Sequence, residues 1–272
     1  MTIMALARPH KGVVFDLADT LLWGKKNHWD FRANVYRKEG DLPPGIRKEK
    51  IFRVVNRIRK SLCDEEHNWE QQLYWPTVNA MALYELHPDL YGTMSLPQLL
   101  DRGRRIRKAI QKLHREWYRY PSEVGKLLSA LRGAEVPFVL GSNHEGIFVQ
   151  ELLDEDYPAL GRWFSMDCRF TPETVFVHKP DPGFLIQIAR RIEQDPSDLV
   201  YVGNSPSNDA PMVGSGAQVI LIDRDNHYHR EIKSPEFQET YCTAMKERRL
   251  IVLRRPKDVA DTLVAHFEGT SQ

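Results

Sequence analysis

The chain has 272 residues, enough for one large domain or two modest ones with a buried core. With 42% hydrophobic and 28% charged residues and a formal net charge of +1, it reads as a soluble globular protein with no overall electrostatic pull toward nucleic acid or membrane. Cys63, Cys168 and Cys242 lie far apart without metal-ligand spacing, Met1 to Lys11 is too short in apolar residues for a secretion signal, and no apolar run approaches the ~20 residues of a membrane span; reduced thiols in a cytoplasmic protein are expected.

Val13 to Phe15 is a short apolar run of the kind found in buried parallel strands, and it ends on Asp16. From Trp23 to Arg119 the character is helical and charged. Ile51, Val54, Val55 and Ile58 have the three-and-four spacing of an amphipathic helix, with Arg53, Arg57, Arg59 and Lys60 interleaved. A second helix is predicted over Trp69 to Leu86, with Pro76 as a point where it would break, and at least one more over Leu96 to Tyr118; Asp41 to Gly45 is a loop. An α/β rhythm begins at Pro121. Strands are predicted at Pro137–Leu140, Thr174–Val177, Leu199–Val202, Val219–Ile222 and Leu250–Leu253, and helices at Glu123–Arg132, Gly146–Leu153, Gly183–Arg191 and Pro256–Phe267. Asp225 to Arg249 reads as a polar loop with a helix. Strands separated by helical segments argue for a parallel sheet with right-handed crossovers.

Four of the strand ends carry chemistry. Asp16, followed by Leu17, Ala18, Asp19 and Thr20, lies where open α/β sheets bind ligands. Ser142 and Asn143 follow Phe138-Val139-Leu140; a hydroxyl there can bond a phosphoryl or carboxylate oxygen, although a strand-end serine more often makes a local turn. Lys179 sits in His178-Lys179-Pro180-Asp181-Pro182, where it can balance the charge of a carboxylate and a bound anion. Asn204 and Asp209 belong to Val202-Gly203-Asn204-Ser205-Pro206-Ser207-Asn208-Asp209.

In order, spacing and strand context these motifs resemble those of the haloacid dehalogenase superfamily. The resemblance covers Gly12 to Leu22 and about 121–224. It implies an α/β Rossmann-like parallel-sheet core over residues 1–22 and 120–272, with an all-helical cap inserted over 23–119 that closes on small substrates. It further implies Asp16 as nucleophile, Thr20 and Ser142 as holders of the transferred group, Ser142, Asn143 and Lys179 as substrate contacts, and Mg²⁺ at Asp16, the Ala18 carbonyl, Asn204 and Asp209. Two positions depart from the family pattern. Ala18 stands where the general acid/base aspartate belongs, a loss of the kind worth about 10²–10⁴-fold. Asn204 stands where the first metal-binding aspartate belongs and brings an amide oxygen without charge. Asp19, next to the missing acid, is an aspartate the family commonly has without that role.

Three readings follow from the resemblance: a phosphatase-type hydrolase of a small phosphorylated metabolite, which is the leading expectation; a metal-independent 2-haloacid dehalogenase, in which Asp209 would activate water; and a silent homologue that binds a ligand or protein. The expected partner is a small anionic molecule, with no nucleic acid and no membrane. Oligomeric state is open. The basic run Arg102 to Lys108 is expected to be a solvated helix face, with steering of anions as the alternative. Trp29, Trp69, Tyr74 and Trp75 are expected to be core, one or two of them lining a pocket, and His178, His227 and His229 are expected to be solvated rather than metal-binding.

Overall fold

A computed structural model describes residues 6, 10–24, 28–63, 71–224 and 228–270, the side chains of 28–31, 59–60, 63, 71–73 and 269–270 excepted. Trp69 and His227, and the side chains of Trp29, Arg59, Lys60 and Cys63, therefore lie outside what is described. The chain divides into two compact units, one formed by Met1–Trp23 with Arg119–Gln272 and the other by Gly24–Tyr118.

The first unit is built on a six-stranded, wholly parallel sheet. Its strands are β1 (Gly12–Phe15), β4 (Phe138–Gly141), β5 (Arg169–Phe170), β6 (Leu199–Gly203), β7 (Gln218–Ile222) and β8 (Leu250–Leu253); the short β2 (Trp23–Gly24) and β3 (Tyr118–Arg119) pair separately. The order is β5-β4-β1-β6-β7-β8, so β1 is central, with Val14 facing Val139 on one side and Tyr201 on the other. All residues of β1, β6 and β7 are buried, as continuous apolar runs in a doubly covered parallel sheet require. On one face Val14, Tyr201, Val219 and Leu221 pack with Phe184, Leu185 and Ile188 of the helix Gly183–Arg191. The helices Ser122–Gly133 and Pro256–Thr270 pack against each other. This is the expected α/β Rossmann-like architecture.

One predicted strand is corrected. Thr174–Val177 reads as β-branched, yet Pro172–Val175 is a helical turn and the edge strand is Arg169–Phe170 instead. Pro172 occupies the first helical position and the Thr174 hydroxyl reaches back to accept the Thr171 amide at 2.9 Å, local chemistry that outweighs the β propensity of Thr174 and Val175; Phe176, with φ of 59°, ends the turn.

The second unit is helical, with long helices at His28–Glu39, Lys48–Cys63, Gln71–Leu86 and Leu96–Trp117. Its core gathers Ile51, Val54, Val55 and Ile58, as their spacing predicts, together with Val78, Leu83, Ile106 and Tyr91. Pro76 does not break its helix, which runs from Gln71 to Leu86. Opposite it stands Gly103, where any Cβ would collide with the Pro76 carbonyl oxygen, and the Gly103 carbonyl accepts the Asn79 side-chain amide at 3.2 Å. An alanine ordinarily gains ~1 kcal/mol over glycine inside a helix. Here backbone oxygen cannot yield, so Gly103→Ala is expected to destabilise by about 1–3 kcal/mol, read as a lower urea midpoint at unchanged slope. The basic run divides: Arg104, Arg105 and Lys108 are exposed, Arg102 pairs with Asp41 at 2.6 Å, and Arg107 turns inward over Trp75. Tyr74 is core and Trp75 half-buried. No described helix is long and apolar enough to cross a membrane. Cys168 and Cys242 are half-buried free thiols.

Candidate functional site

Because all six strands run the same way, their carboxyl ends share one edge of the sheet, and Asp16, Ser142, Asn204 and Asp223 each stand just beyond a strand on it. The Asp16 amide donates to Val202 O at 2.8 Å, which continues the β1–β6 ladder through the candidate nucleophile and fixes its backbone. The chain then turns sharply: Leu21 and Leu22 N–H both bond Leu17 O, and Asp19 N–H bonds Leu22 O at 2.7 Å. Asp19 sits at φ of 59°, a conformation that aspartate tolerates better than most residues.

Five of the predicted residues, Asp16, Thr20, Lys179, Asn204 and Asp209, meet directly. Lys179 Nζ donates to Asp16 Oδ1 at 2.6 Å, to Asp209 Oδ1 at 2.9 Å and to Tyr201 Oη at 2.8 Å, so all three ammonium protons are engaged. Thr20 Oγ1 lies 3.2 Å from both Asp16 Oδ2 and Asn204 Oδ1, one proton shared between two acceptors. Asp209 accepts four hydrogen bonds: Lys179 and the Tyr201 hydroxyl on Oδ1, and the Asn204 and Ser205 amides on Oδ2 at 3.0 and 2.9 Å. Gly203 makes this tuck possible, since a Cβ there would stand 2.5 Å from Asp209 Cγ.

Burial governs the charges. Asp16 is buried, and that desolvation pushes its carboxyl up to about 6; the Lys179 ammonium opposes the shift and the Asp209 carboxylate adds to it. For Lys179, burial acts downward, but Asp16 and Asp209 together outweigh it and hold the ammonium above the usual lysine value. Tyr201 is held well above its ordinary value by burial and by both carboxylates, and keeps its proton.

Ser142 and Asn143 lie beside this cluster in different roles. Ser142 is buried, and its Oγ accepts the His144 amide at 3.2 Å, the local turn typical of a strand-end serine. Asn143, expected to touch substrate, commits both ends of its amide to the Lys179 backbone: Nδ2 donates to Lys179 O and Oδ1 accepts from Lys179 N, each at 2.9 Å. It is the tether that brings Lys179 across to Asp16. His178 is held below its ordinary value by burial, and His229 Nδ1 stands 3.9 Å from Asp223 Oδ2; no group of three metal-ligating side chains occurs among the described residues.

The expected Mg²⁺ donors do not form a site suited to a divalent cation. Every acceptor direction of Asp209 is occupied, Asn204 Oδ1 takes a proton from Thr20, Ala18 offers only its backbone carbonyl, and the one remaining carboxylate, Asp16, is already paired with Lys179. Small hard cations bind where several oxygens, usually with carboxylates among them, converge. Lys179 supplies the positive charge in that place.

Four residues of the site were not anticipated. Tyr201 reads as one more apolar strand residue, and the only hint was that a buried tyrosine hydroxyl needs a partner. Asp223, Arg224 and Tyr228 lie in or beside the polar stretch after β7. Buried Asp223 accepts the Tyr228 amide at 2.8 Å, and the Tyr228 hydroxyl lies 3.4 Å from Asn204 Nδ2.

A family model described as haloacid dehalogenase-like hydrolase matches residues 10–215. Among solved structures the chain resembles a haloacid dehalogenase-family hydrolase from Deinococcus radiodurans with bound phosphate and sodium (17% identity, 95% of this chain and 96% of that one, TM-score 0.56). It also resembles a 2-haloacid dehalogenase from Pseudomonas syringae (18%, 94% and 99%, TM-score 0.57). A third is a family IA, variant 3 hydrolase from Entamoeba histolytica (13%, 95% and 99%, TM-score 0.60). At these identities the likeness is one of fold. A search of curated protein sequences finds no match.

Proposed function

The chain belongs to the haloacid dehalogenase-like hydrolases, and from that premise we propose that it uses Asp16 to displace, without a metal ion, a leaving group that needs no proton, a small 2-halocarboxylate being the simplest substrate. Asp16 Oδ2 attacks the halogen-bearing carbon from the side opposite the halogen. A carbon–oxygen bond forms as the carbon–halogen bond breaks, and halide departs with the electron pair. Water then adds to the Asp16 ester carbonyl, giving a 2-hydroxy acid, the regenerated carboxylate and one proton released to solvent.

The observation that carries this reading is the pairing of Ala18 with a Lys179 ammonium shared between Asp16 and Asp209. An alkoxide leaving from a phosphate ester needs a proton donor, and phosphoryl charge needs strong cationic stabilisation. A halide is a weak base and needs neither. The solved 2-haloacid dehalogenase is consistent with this choice. The phosphatase-type reading, on a small phosphorylated metabolite, remains the second; what favours it is the phosphate bound to the similar Deinococcus hydrolase.

The test is a panel of halocarboxylates and phosphate esters, assayed with Mg²⁺ and with chelator. Halide release indifferent to chelator supports the proposal. Metal-dependent phosphate release overturns it in favour of the second reading, and phosphate release seen only after Ala18→Asp overturns both. The same site predicts slow completion of the cycle. Asp209 is saturated with donors and is a weak candidate for the base that activates water, so the Asp16 ester is expected to accumulate. Intact-mass measurement during turnover should show an adduct on the tryptic peptide holding Asp16, with a burst of halide near one equivalent per site; a purely linear time course with no adduct would remove this expectation.

A further inference from the structure

The second half of the cycle needs something that the first does not. As Asp16 Oδ2 attacks, the carboxylate loses its charge, so a donor held on Oδ1 weakens and gives no help. When water then bonds to the ester carbon, the carbonyl electron pair moves onto Oδ1, and a donor fixed there strengthens as charge develops. The pair returns as the carbon–Oδ2 bond breaks. The 2-hydroxy acid leaves with Oδ2 as its hydroxyl, carrying one proton of the water, and the other proton goes to solvent. Lys179 Nζ is the donor on Oδ1, at 2.6 Å. An ammonium on a flexible stem has three rotatable N–H bonds, so its aim depends on what its other protons meet.

Tyr201 decides where one of them goes. It is fully buried on β6, beside Val14 of β1 and Val219 of β7, and it shares the core with Phe184, so its hydroxyl has a fixed place. An ammonium can only donate. The phenol oxygen therefore accepts from Lys179 Nζ at 2.8 Å and sends its own proton to Asp209 Oδ1 at 2.9 Å. Lys179 Nζ also lies 2.9 Å from that same Oδ1, which closes a triangle of three hydrogen bonds. Hydrogen bonds linked in this way polarise one another. Without the phenol, Asp209 Oδ1 loses a neutral donor and draws the ammonium toward itself, away from Asp16.

We infer that Tyr201 is a positioning residue: its hydroxyl locks the Lys179 ammonium so that the remaining N–H stays on Asp16 Oδ1, where the oxyanion of ester hydrolysis forms. This rests on the reading of Asp16 as an ester-forming nucleophile, and the test separates the two. The readout without substrate is the NMR signal of the Lys179 ammonium, assigned by its loss in Lys179→Arg. Wild type should show ammonium protons protected from solvent exchange. Tyr201→Phe keeps the ring, and with folding checked by thermal melting its protons should exchange faster by roughly tenfold or more. The readout with a halocarboxylate is the split between the two half-reactions. In Tyr201→Phe the halide burst should stay near one equivalent, while kcat and KM fall together by roughly 5–20-fold and kcat/KM holds within about threefold. A merely structural role would instead lower the burst or kcat/KM, and that result overturns the proposal. So does a wild-type ammonium that exchanges like that of a surface lysine, whether or not the variant folds, and so does a folded Tyr201→Phe with wild-type protection. Lost protection without halide release from any halocarboxylate leaves the lock standing and removes the reaction; halide release with equal kcat in both proteins does the reverse.

Discussion

Asp16→Asn is expected to abolish turnover while leaving the fold as stable as before. The amide keeps the shape of the side chain but cannot form the covalent ester, and loss of a nucleophile of this kind lowers kcat by about 10⁴–10⁶-fold. The wild-type pH profile should carry the same signature. With its carboxyl pushed up to about 6, chiefly by burial, Asp16 becomes nucleophilic only as pH rises through that value, so kcat/KM should fall on an acid limb near pH 6. Stability should move oppositely. The folded pKa lies above the ~3.9 of an exposed aspartate, so this group's contribution is complete below pH ~4 and is lost as pH rises through about 6. Asparagine never ionises and escapes that loss. At pH 8 the variant should therefore melt no lower than wild type while being inactive. Residual activity within tenfold of wild type would remove Asp16 from the role of nucleophile.

Lys179→Met is expected to have the largest effect on stability. Lys179 and Asp209 are buried within hydrogen-bond distance of each other, and Asp16 shares the same ammonium. Removing the cation leaves two carboxylates facing each other in a poorly solvated site, and breaking a buried pair in this way costs about 3–5 kcal/mol. It also leaves the Tyr201 hydroxyl without the donor it now accepts from. If the cause is uncompensated charge rather than lost packing, Lys179→Met/Asp209→Asn should recover most of the lost urea midpoint while remaining inactive. A double variant as unstable as the sum of the two single ones would show that the residues are not energetically coupled.

How the chain encodes all this differs between its levels. The core strands and the helix Gly183–Arg191 follow from local periodicity, because the face a residue presents is set by the chain's own repeat of two or 3.6. Thr174–Val177 misleads because β propensity reports a preference for pleated surfaces, while the cap at Thr171 and Pro172 imposes a helical turn. Pro76 misleads for a different reason: its helix runs on to Leu86 and packs closely on Gly103 of another helix, a tertiary contact that no local pattern around Pro76 states.

The candidate site divides along the same line. Asp16, Thr20, Ser142, Asn204 and Asp209 are visible in the sequence because each is a polar residue in a strand-end motif, Lys179 because of the His-Lys-Pro-Asp-Pro run alone, since no strand directly precedes it, and the order of those motifs determines the family. What the substitutions at Ala18 and Asn204 leave behind was decided only by tertiary structure. The Lys179–Asp16 bond joins residues 163 positions apart, and no local pattern states that Asn143 would tether Lys179 or that Tyr201 would take its third proton. Tyr228 lies in a polar stretch without periodicity and comes beside Asn204 only because β7 ends on the same sheet edge as β6. Sequence by itself determined which chemical groups stand at the strand ends, since these are single residues in local motifs. Tertiary structure decided which of them share protons and charge, since hydrogen bonds and desolvation depend on contacts the chain makes only once folded.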